Sequence, residues 1–295
     1  MVLKDKIQDF IKQYYVLLII ILLAIFFFYS IYMRNIVRRV VVFDLDETLG
    51  CFVELGIFCD AIEKYYKKKL TITDFHDIMD LYPEFLRPNI IKVLNFLKEK
   101  RENGDLYKVY LYTNNQGPKS WSEKICLYLE KRIGYKLFDK IIAAWKVNGR
   151  IIEHTRTTHD KTLDDFFRTT KLSNNTEVCF VDDLYHPHMN MPNVYYINIV
   201  PYTAYLSPKL MCERFYKHNK HTIQNKHEFC SFITNYISRY DISSIEKSTA
   251  TKKEDDIIGK ELLTHLQTFL QNKSKSQTKK NKSSRQRHTY RRHNY

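Results

Sequence analysis

The run Val40-Val41-Val42-Phe43-Asp44-Leu45-Asp46-Glu47-Thr48-Leu49 decides the fold, because an apolar, β-branched stretch stops there at two carboxylates spaced by one residue. Four consecutive apolar residues, three of them Val, suit a strand buried on both faces of a parallel sheet. In open α/β sheets ligands bind beyond the carboxyl ends of the strands, which is where Asp44 and Asp46 fall. A strand end with acidic helix-capping residues has the same local pattern, so the rest of the chain must discriminate.

It repeats the pattern. Val109-Tyr110-Leu111-Tyr112 runs into Thr113-Asn114-Asn115-Gln116-Gly117, and Val178-Cys179-Phe180-Val181 runs into Asp182-Asp183. Ile141 to Ala144 and Val194 to Asn198 supply two more strands. Helical spacing is expected over Asn89 to Lys100 after Pro88, over Ser120 to about Ile133, over Thr162 to Thr170 and across Pro208 to Tyr240. Asn148-Gly149 marks a hairpin. Residues 50–84 are mixed, with a helix expected only at Asp60 to Lys69 and a turn at Tyr82-Pro83. The fold class is α/β with a parallel sheet.

The 295 residues, 44% hydrophobic, suffice for one sizeable core. Six scattered cysteines with no CxxC pair exclude a zinc ribbon and point to free thiols in a reducing compartment. The net charge of +14 belongs to the ends. Residues 1–39 hold six Lys/Arg against two acids and residues 273–295 hold nine against none, whereas 40–272 carry 32 bases and 31 acids. Nucleic-acid or anionic-lipid contact is therefore expected at the basic tail and not at the acidic strand ends.

Tyr14 to Met33 is twenty residues without a charge, flanked by tyrosines, and is expected to be a single-pass transmembrane anchor with a cytosolic catalytic domain. Balanced flanking charge leaves its orientation open. The expected organisation is thus a tail and anchor over 1–37, a catalytic domain over 38–240, a linker and amphipathic helix over 241–272, and a disordered basic tail over 273–295. The stripe Ile258, Leu262, Leu266, Phe269 and Leu270 suits a helix docking on its own domain better than a partner helix.

Acids at several strand ends repel one another unless a cation joins them, and a hard divalent metal with oxygen ligands is the usual relief; Mg²⁺ is the natural candidate. A metal beside a carboxylate, a hydroxyl and a Lys suits a phosphoryl group. The whole pattern resembles the haloacid-dehalogenase-like (HAD) phosphatases. Asp44-Leu45-Asp46-Glu47-Thr48-Leu49 is similar to their DxDxT motif in the DLDETL form of the FCP/SCP group, the phosphatases of the RNA polymerase II C-terminal domain. Phe85-Leu86-Arg87-Pro88 resembles that group's LRPG segment, with Asn89 in place of the glycine. The likeness spans roughly residues 38–200 and lies nearest the CTD-phosphatase-like proteins of large DNA viruses.

The resemblance implies a Rossmann-like sheet of the HAD type with a minimal cap, and a Mg²⁺-dependent protein serine/threonine phosphatase acting on a phosphorylated protein or peptide. It makes Asp44 the nucleophile and Asp46 the general acid and base. Thr113, Asn114 and Lys161 would hold the phosphate. Asp44, the Asp46 carbonyl, Asp182 and Asp183 would hold the metal, with the choice between Asp182 and Asp183 open. Lys161 is preferred over Lys171 because it opens an expected helix 21 residues before Asp182, while Lys171 lies near that helix's end. The loop Thr113 to Gly117 is also similar to the TNQxG of polynucleotide 3′-phosphatases, which keeps nucleic-acid ends as an alternative substrate; an idle membrane scaffold is the other alternative. Gly50-Cys51 departs from the larger residues common in the group. His186-Pro187-His188 is read as structural or exposed and not as a metal pair.

Overall fold

The computed structural model describes residues 14–28, 37–204, 206–240 and 247–271. At its centre β1 (Arg39–Phe43) is flanked by β2 (Lys108–Tyr112) and β6 (Glu177–Asp182), with β3 (Phe138–Ile142) and β7 (Val194–Asn198) outermost. All five strands are parallel, with Val42 opposite Tyr110 on one side and Phe180 on the other. The chain steps from β1 through β2 to β3, then returns to lay β6 against the other edge of β1. That reversal makes the β1/β6 boundary a topological switch point, where α/β sheets open a crevice. The hairpin β4 (Lys146–Val147) and β5 (Arg150–Ile151) turns at Asn148 and Gly149, both at positive φ.

Alternate side chains of β1 leave on opposite faces. Val41 and Phe43 enter the larger core, to which α2 (Phe52–Tyr66), α3 (Ile72–Leu81), α4 (Ile90–Glu102), α5 (Lys119–Ile133), α7 (Pro208–Asn219), α8 (Lys226–Ile237) and α9 (Thr249–Gln271) contribute. Val40 and Val42 enter the smaller one with α6 (Leu163–Thr170). Burial on both faces explains why β1 carries no alternation of polar and apolar residues.

Two expectations are corrected. Residues 50–84 are not a mixed stretch with one short helix but α2, α3 and a one-turn helix at Pro83–Phe85. The signals were weak at α2. Cys51 precedes it without a side-chain cap, and Lys67, not glycine, takes the left-handed conformation at its end. α3 does carry a full capping box between Thr71 and Asp74. The strand expected at Ile141 to Ala144 runs instead from Phe138 to Ile142, while the helical pattern over Pro208 to Tyr240 is realised as α7 and α8, the second capped by Asn225, whose side chain accepts from the Glu228 amide.

The amphipathic helix α9 belongs to the domain. Leu262, Leu266, Phe269 and Leu270 are buried in the larger core, and Asn89 donates to the carbonyl and carboxylate oxygens of Asp256 at 3.1 and 2.8 Å. Gly259 is where α9 crosses the start of α4, because a Cβ there would collide with the Pro88 carbonyl.

The N-terminal unit is described only as a helix, α1, over residues 14–28, with exposed apolar side chains. Among the described residues no helix is long and apolar enough to cross a membrane, so the transmembrane span expected at 14–33 is not supported. The fifteen described helical residues cover about 22 Å. The remainder of that expected span, residues 29–33, and the basic tail 273–295 lie outside the described residues.

Candidate active site

The loop after β1 is a tight turn. Leu49 N–H donates to the Leu45 carbonyl at 3.0 Å, Glu47 N–H donates to the Gly50 carbonyl at 2.7 Å, and Glu47 sits at φ 59°. A non-glycine residue in that region carries a cost of order 1–3 kcal/mol, met here by surrounding contacts. The Glu47 carbonyl accepts from the Tyr202 amide at 2.8 Å and from Arg87 Nη2 at 2.5 Å, while Arg87 Nε donates to the Thr48 carbonyl at 2.6 Å. Gly50 is required by close approach, since a Cβ would collide with the Phe85 carbonyl and the Phe52 ring. That contact accounts for the departure at Gly50.

The turn delivers Asp44 against β6. The carboxylates of Asp44, Asp182 and Asp183 offer oxygens that all lie within 4.8 Å of one another, a buried acidic triad able to hold one metal ion. Lys161 enters from the loop before α6 and donates to Asp44 Oδ1 and, at 2.6 Å, to Asp182 Oδ2. Its side chain is 3% exposed. Three carboxylates against one ammonium leave the cluster negative, and hard oxygen donors in excess fit a divalent cation.

Each group is shifted for an identifiable reason. Burial pushes the Asp44 carboxyl up to about 8, helped by Asp182 and Asp183 and opposed by Lys161. Burial would also raise Asp182, but Lys161 and His186 outweigh it and hold that carboxyl below its usual range. Asp183 is raised, first by burial and then by Asp182. Burial would depress Lys161, yet Asp44 and Asp182 hold it above its usual value.

Asp182 is fully engaged. Its Oδ2 also lies 3.3 Å from His186 Nε2 and its Oδ1 accepts from the Leu184 amide at 2.9 Å. Asp183 accepts from Thr48 Oγ1 at 3.0 Å, and the Asp183 amide donates back to that hydroxyl.

Asp46 stands apart from the triad. The group expected at the metal is its carbonyl; of its carboxylate, Oδ2 accepts from Asn115 Nδ2 at 2.6 Å and Oδ1 is buried with no partner among the described residues. Burial raises this carboxyl, partly offset by Asn115. At Asn114, expected at the phosphate, the carbonyl accepts from Gln116 and the buried Oδ1 has no partner among the described residues. The asparagine brought to the acids is Asn115, one residue on.

Thr113 is buried at the end of β2, and its hydroxyl accepts from the Asn115 amide at 3.0 Å. Lys171 is exposed at the end of α6 and takes no part in the cluster. His186 supports Asp182 while His188 is exposed, in keeping with a structural role for the pair.

Arg156 gave no signal in the sequence. Its Nη1 donates to the carbonyls of Thr113 and Ala143 at 3.2 and 2.9 Å, and Nη2 to those of His159 and Asp160 at 2.8 and 3.2 Å. One buried guanidinium thus ties the ends of two strands to the loop that carries Lys161. No motif marks such a residue, because its partners are backbone carbonyls that any sequence supplies.

No family model matches the chain, and neither curated proteins nor solved structures yield a match.

Proposed function

We propose that this chain is a Mg²⁺-dependent phosphomonoester hydrolase of the HAD type, acting on phosphoserine or phosphothreonine in proteins. One observation carries the reading: acids from the ends of β1 and β6 converge on a buried Lys161, at the switch point of a parallel sheet. Such an arrangement is made for a cation and a phosphoryl group together.

Asp44 attacks phosphorus, forming a new O–P bond as the bond to the leaving oxygen breaks. Asp46, half-buried and held by Asn115, gives that oxygen its proton. Water then attacks the aspartyl-phosphate, Asp46 takes its proton, and the bond to Asp44 breaks to free phosphate. Lys161 and the Thr113 hydroxyl hold the phosphoryl oxygens. The acids Asp44, Asp182 and Asp183 would hold Mg²⁺, which supplies charge stabilisation to the transferring group.

A macromolecular substrate is favoured by what α2 and α3 do. The segment between Leu49 and Phe85 spends its apolar residues on the core, including Phe52, Leu55, Phe58, Phe75 and Met79. It is therefore not free to close over the site as a separate lid.

The test is turnover by the purified full chain of a phosphoserine peptide, a 3′-phosphorylated oligonucleotide and a sugar phosphate, with Mg²⁺ and with EDTA. Mg²⁺-dependent turnover of the peptide is expected, and Asp44→Asn should abolish it while leaving the chain folded. Selective turnover of the oligonucleotide would move the substrate to nucleic-acid ends. No turnover of any of the three would remove the hydrolase reading.

A further inference from the structure

The helix α1 is bare on every side. Successive residues of an α-helix turn by about 100°, so any four in a row look in all directions around the axis. Leu17, Leu18, Ile19 and Ile20 are each 52–56% exposed, and Phe26, Phe27 and Phe28 at its end are 61–69% exposed. From Val16 to Phe28 no side chain is polar or charged. Water is a poor solvent for such a surface, and a contiguous exposed patch of this kind marks a place of association.

The distribution of exposure selects the occupant. A helix that docks on protein carries an apolar stripe toward its partner and polar residues away from it. α9 is built that way, burying Leu262, Leu266 and Phe269 while Lys260, Thr264 and Thr268 face water. α1 has no polar side to leave in water, so a second copy or a protein groove would satisfy only part of it. Lipid hydrocarbon meets a helix equally from all directions and requires backbone polar groups that are bonded internally, as those of a helix are. Charge agrees with this. No Asp or Glu stands between Phe10 and Phe43, whereas Lys12 and Arg34 lie on either side of the apolar run, and anionic lipid headgroups are the complement of such bases.

We propose that α1 inserts into the hydrocarbon of a lipid bilayer and so holds the chain at a membrane. The claim is insertion and does not extend to crossing from one face to the other. Hydrocarbon contact supplies the attachment, and the flanking bases tune which lipid is preferred. The proposal stands apart from the hydrolase reading, because binding to lipid is measured without any turnover.

The experiment reconstitutes the purified full chain, by removal of detergent, with vesicles of phosphatidylcholine alone or mixed with phosphatidylserine, and floats them on a density gradient. The chain is expected to rise with both kinds of vesicle and to stay with them in about 1 M salt, where contacts through charge alone are screened. Leu17→Asp, Ile20→Asp and Leu22→Asp together place a short charged side chain on each side of α1, where it cannot reach out to the headgroups as Lys would. The floated fraction of this triple variant should fall at least about tenfold. Its thermal unfolding midpoint in detergent should match that of the unsubstituted chain; a lowered midpoint would mean that α1 is covered by protein and overturns the proposal. The proposal is equally overturned by a chain that stays at the bottom of the gradient as a soluble oligomer, that floats only at low salt or only with phosphatidylserine, or that floats undiminished as the triple variant. The emission added by Leu22→Trp should be quenched by lipids brominated along their acyl chains, and emission untouched by them places α1 outside hydrocarbon.

Discussion

Replacing Lys161 by Met keeps the length of the side chain and removes the one charge that links Asp44 to Asp182. Both carboxylates are buried, and breaking a buried ion pair by deleting one partner costs about 3–5 kcal/mol. Part of that cost is avoidable here. Asp44 sits at about 8 even with Lys161 beside it, so in the variant it stays protonated at neutral pH. Asp182 has no such escape without losing the pairing that now holds it below its usual range. The net loss should be about 3 kcal/mol near neutrality.

Without Lys161 the Asp44 carboxyl rises further above its unfolded value, and Asp182 loses the pairing that holds it below its own. Stability is then fully present below the unfolded values and is lost as pH rises through the raised ones. The penalty should therefore grow as pH rises from about 4 to beyond about 8, and the measurement is urea unfolding in EDTA across that range. Saturating Mg²⁺ should restore about 2–3 kcal/mol, the linkage expected at about a hundred times Kd. A loss under about 1 kcal/mol at alkaline pH, or a loss that ignores both pH and Mg²⁺, would refute the assignment of Lys161 as the counter-ion of a metal-binding triad. Lys171→Met, on the surface, is the control and should change stability by no more than about 0.5 kcal/mol.

Asn115→Ala removes the donor that offsets the burial of Asp46, so kcat should fall about tenfold or more and the pH–rate profile should move toward alkaline pH, which rate measurements across pH will show. Cation binding should release protons at neutral pH, because Asp44 is held at about 8 in the metal-free protein and must ionise to coordinate; calorimetry in buffers of different ionisation enthalpy counts them. For the same reason the metal-free domain should lose stability as pH rises from about 4 through about 8, the sign for a carboxyl raised on folding. Gly259→Ala forces α9 off the Pro88 carbonyl and should cost about 1–3 kcal/mol in thermal or urea unfolding, while an exposed α9 change such as Glu254→Ala should be neutral.

The three inner strands were legible because residues buried on both faces must be apolar without interruption, and Val40–Phe43, Val109–Tyr112 and Val178–Val181 obey that rule, whereas the edge strand β3 carries exposed Asp139 and Lys140 and begins three residues before the run expected at Ile141. The acids were legible because they stand where those runs stop. The residues that hold the site in shape were not. Arg156 acts on carbonyls, which carry no side-chain signature; Arg87 stood in the Phe85–Pro88 segment, but its hold on the Glu47 and Thr48 carbonyls had no signature either, and nothing told Asn115 from its identical neighbour at 114. Asn89 was noted as a substitution for glycine, but its reason is conformational. It sits at φ 64°, which Asn tolerates better than other non-glycine residues, and its side chain does what no glycine could by reaching Asp256.

The buried cations around the triad divide the labour in a way that bears on the metal. Lys161 alone pairs with carboxylates; Arg87 and Arg156 spend their hydrogen bonds on carbonyls, the first on the turn after β1 and the second on the ends of β2 and β3 and the Lys161 loop. Guanidinium groups are well suited to this, since a planar fork of donors can fix several acceptors at once. Had either arginine turned to the acids, the triad would approach neutrality and lose its reason to take up a cation. By holding backbone instead, they fix the positions of Asp44, Asp46 and Lys161 and leave the excess negative charge in place. The shape of the site and its charge are thus set by different residues. Substituting Arg156 should accordingly loosen the Lys161 loop, visible as faster amide exchange there, without removing the requirement for a divalent ion.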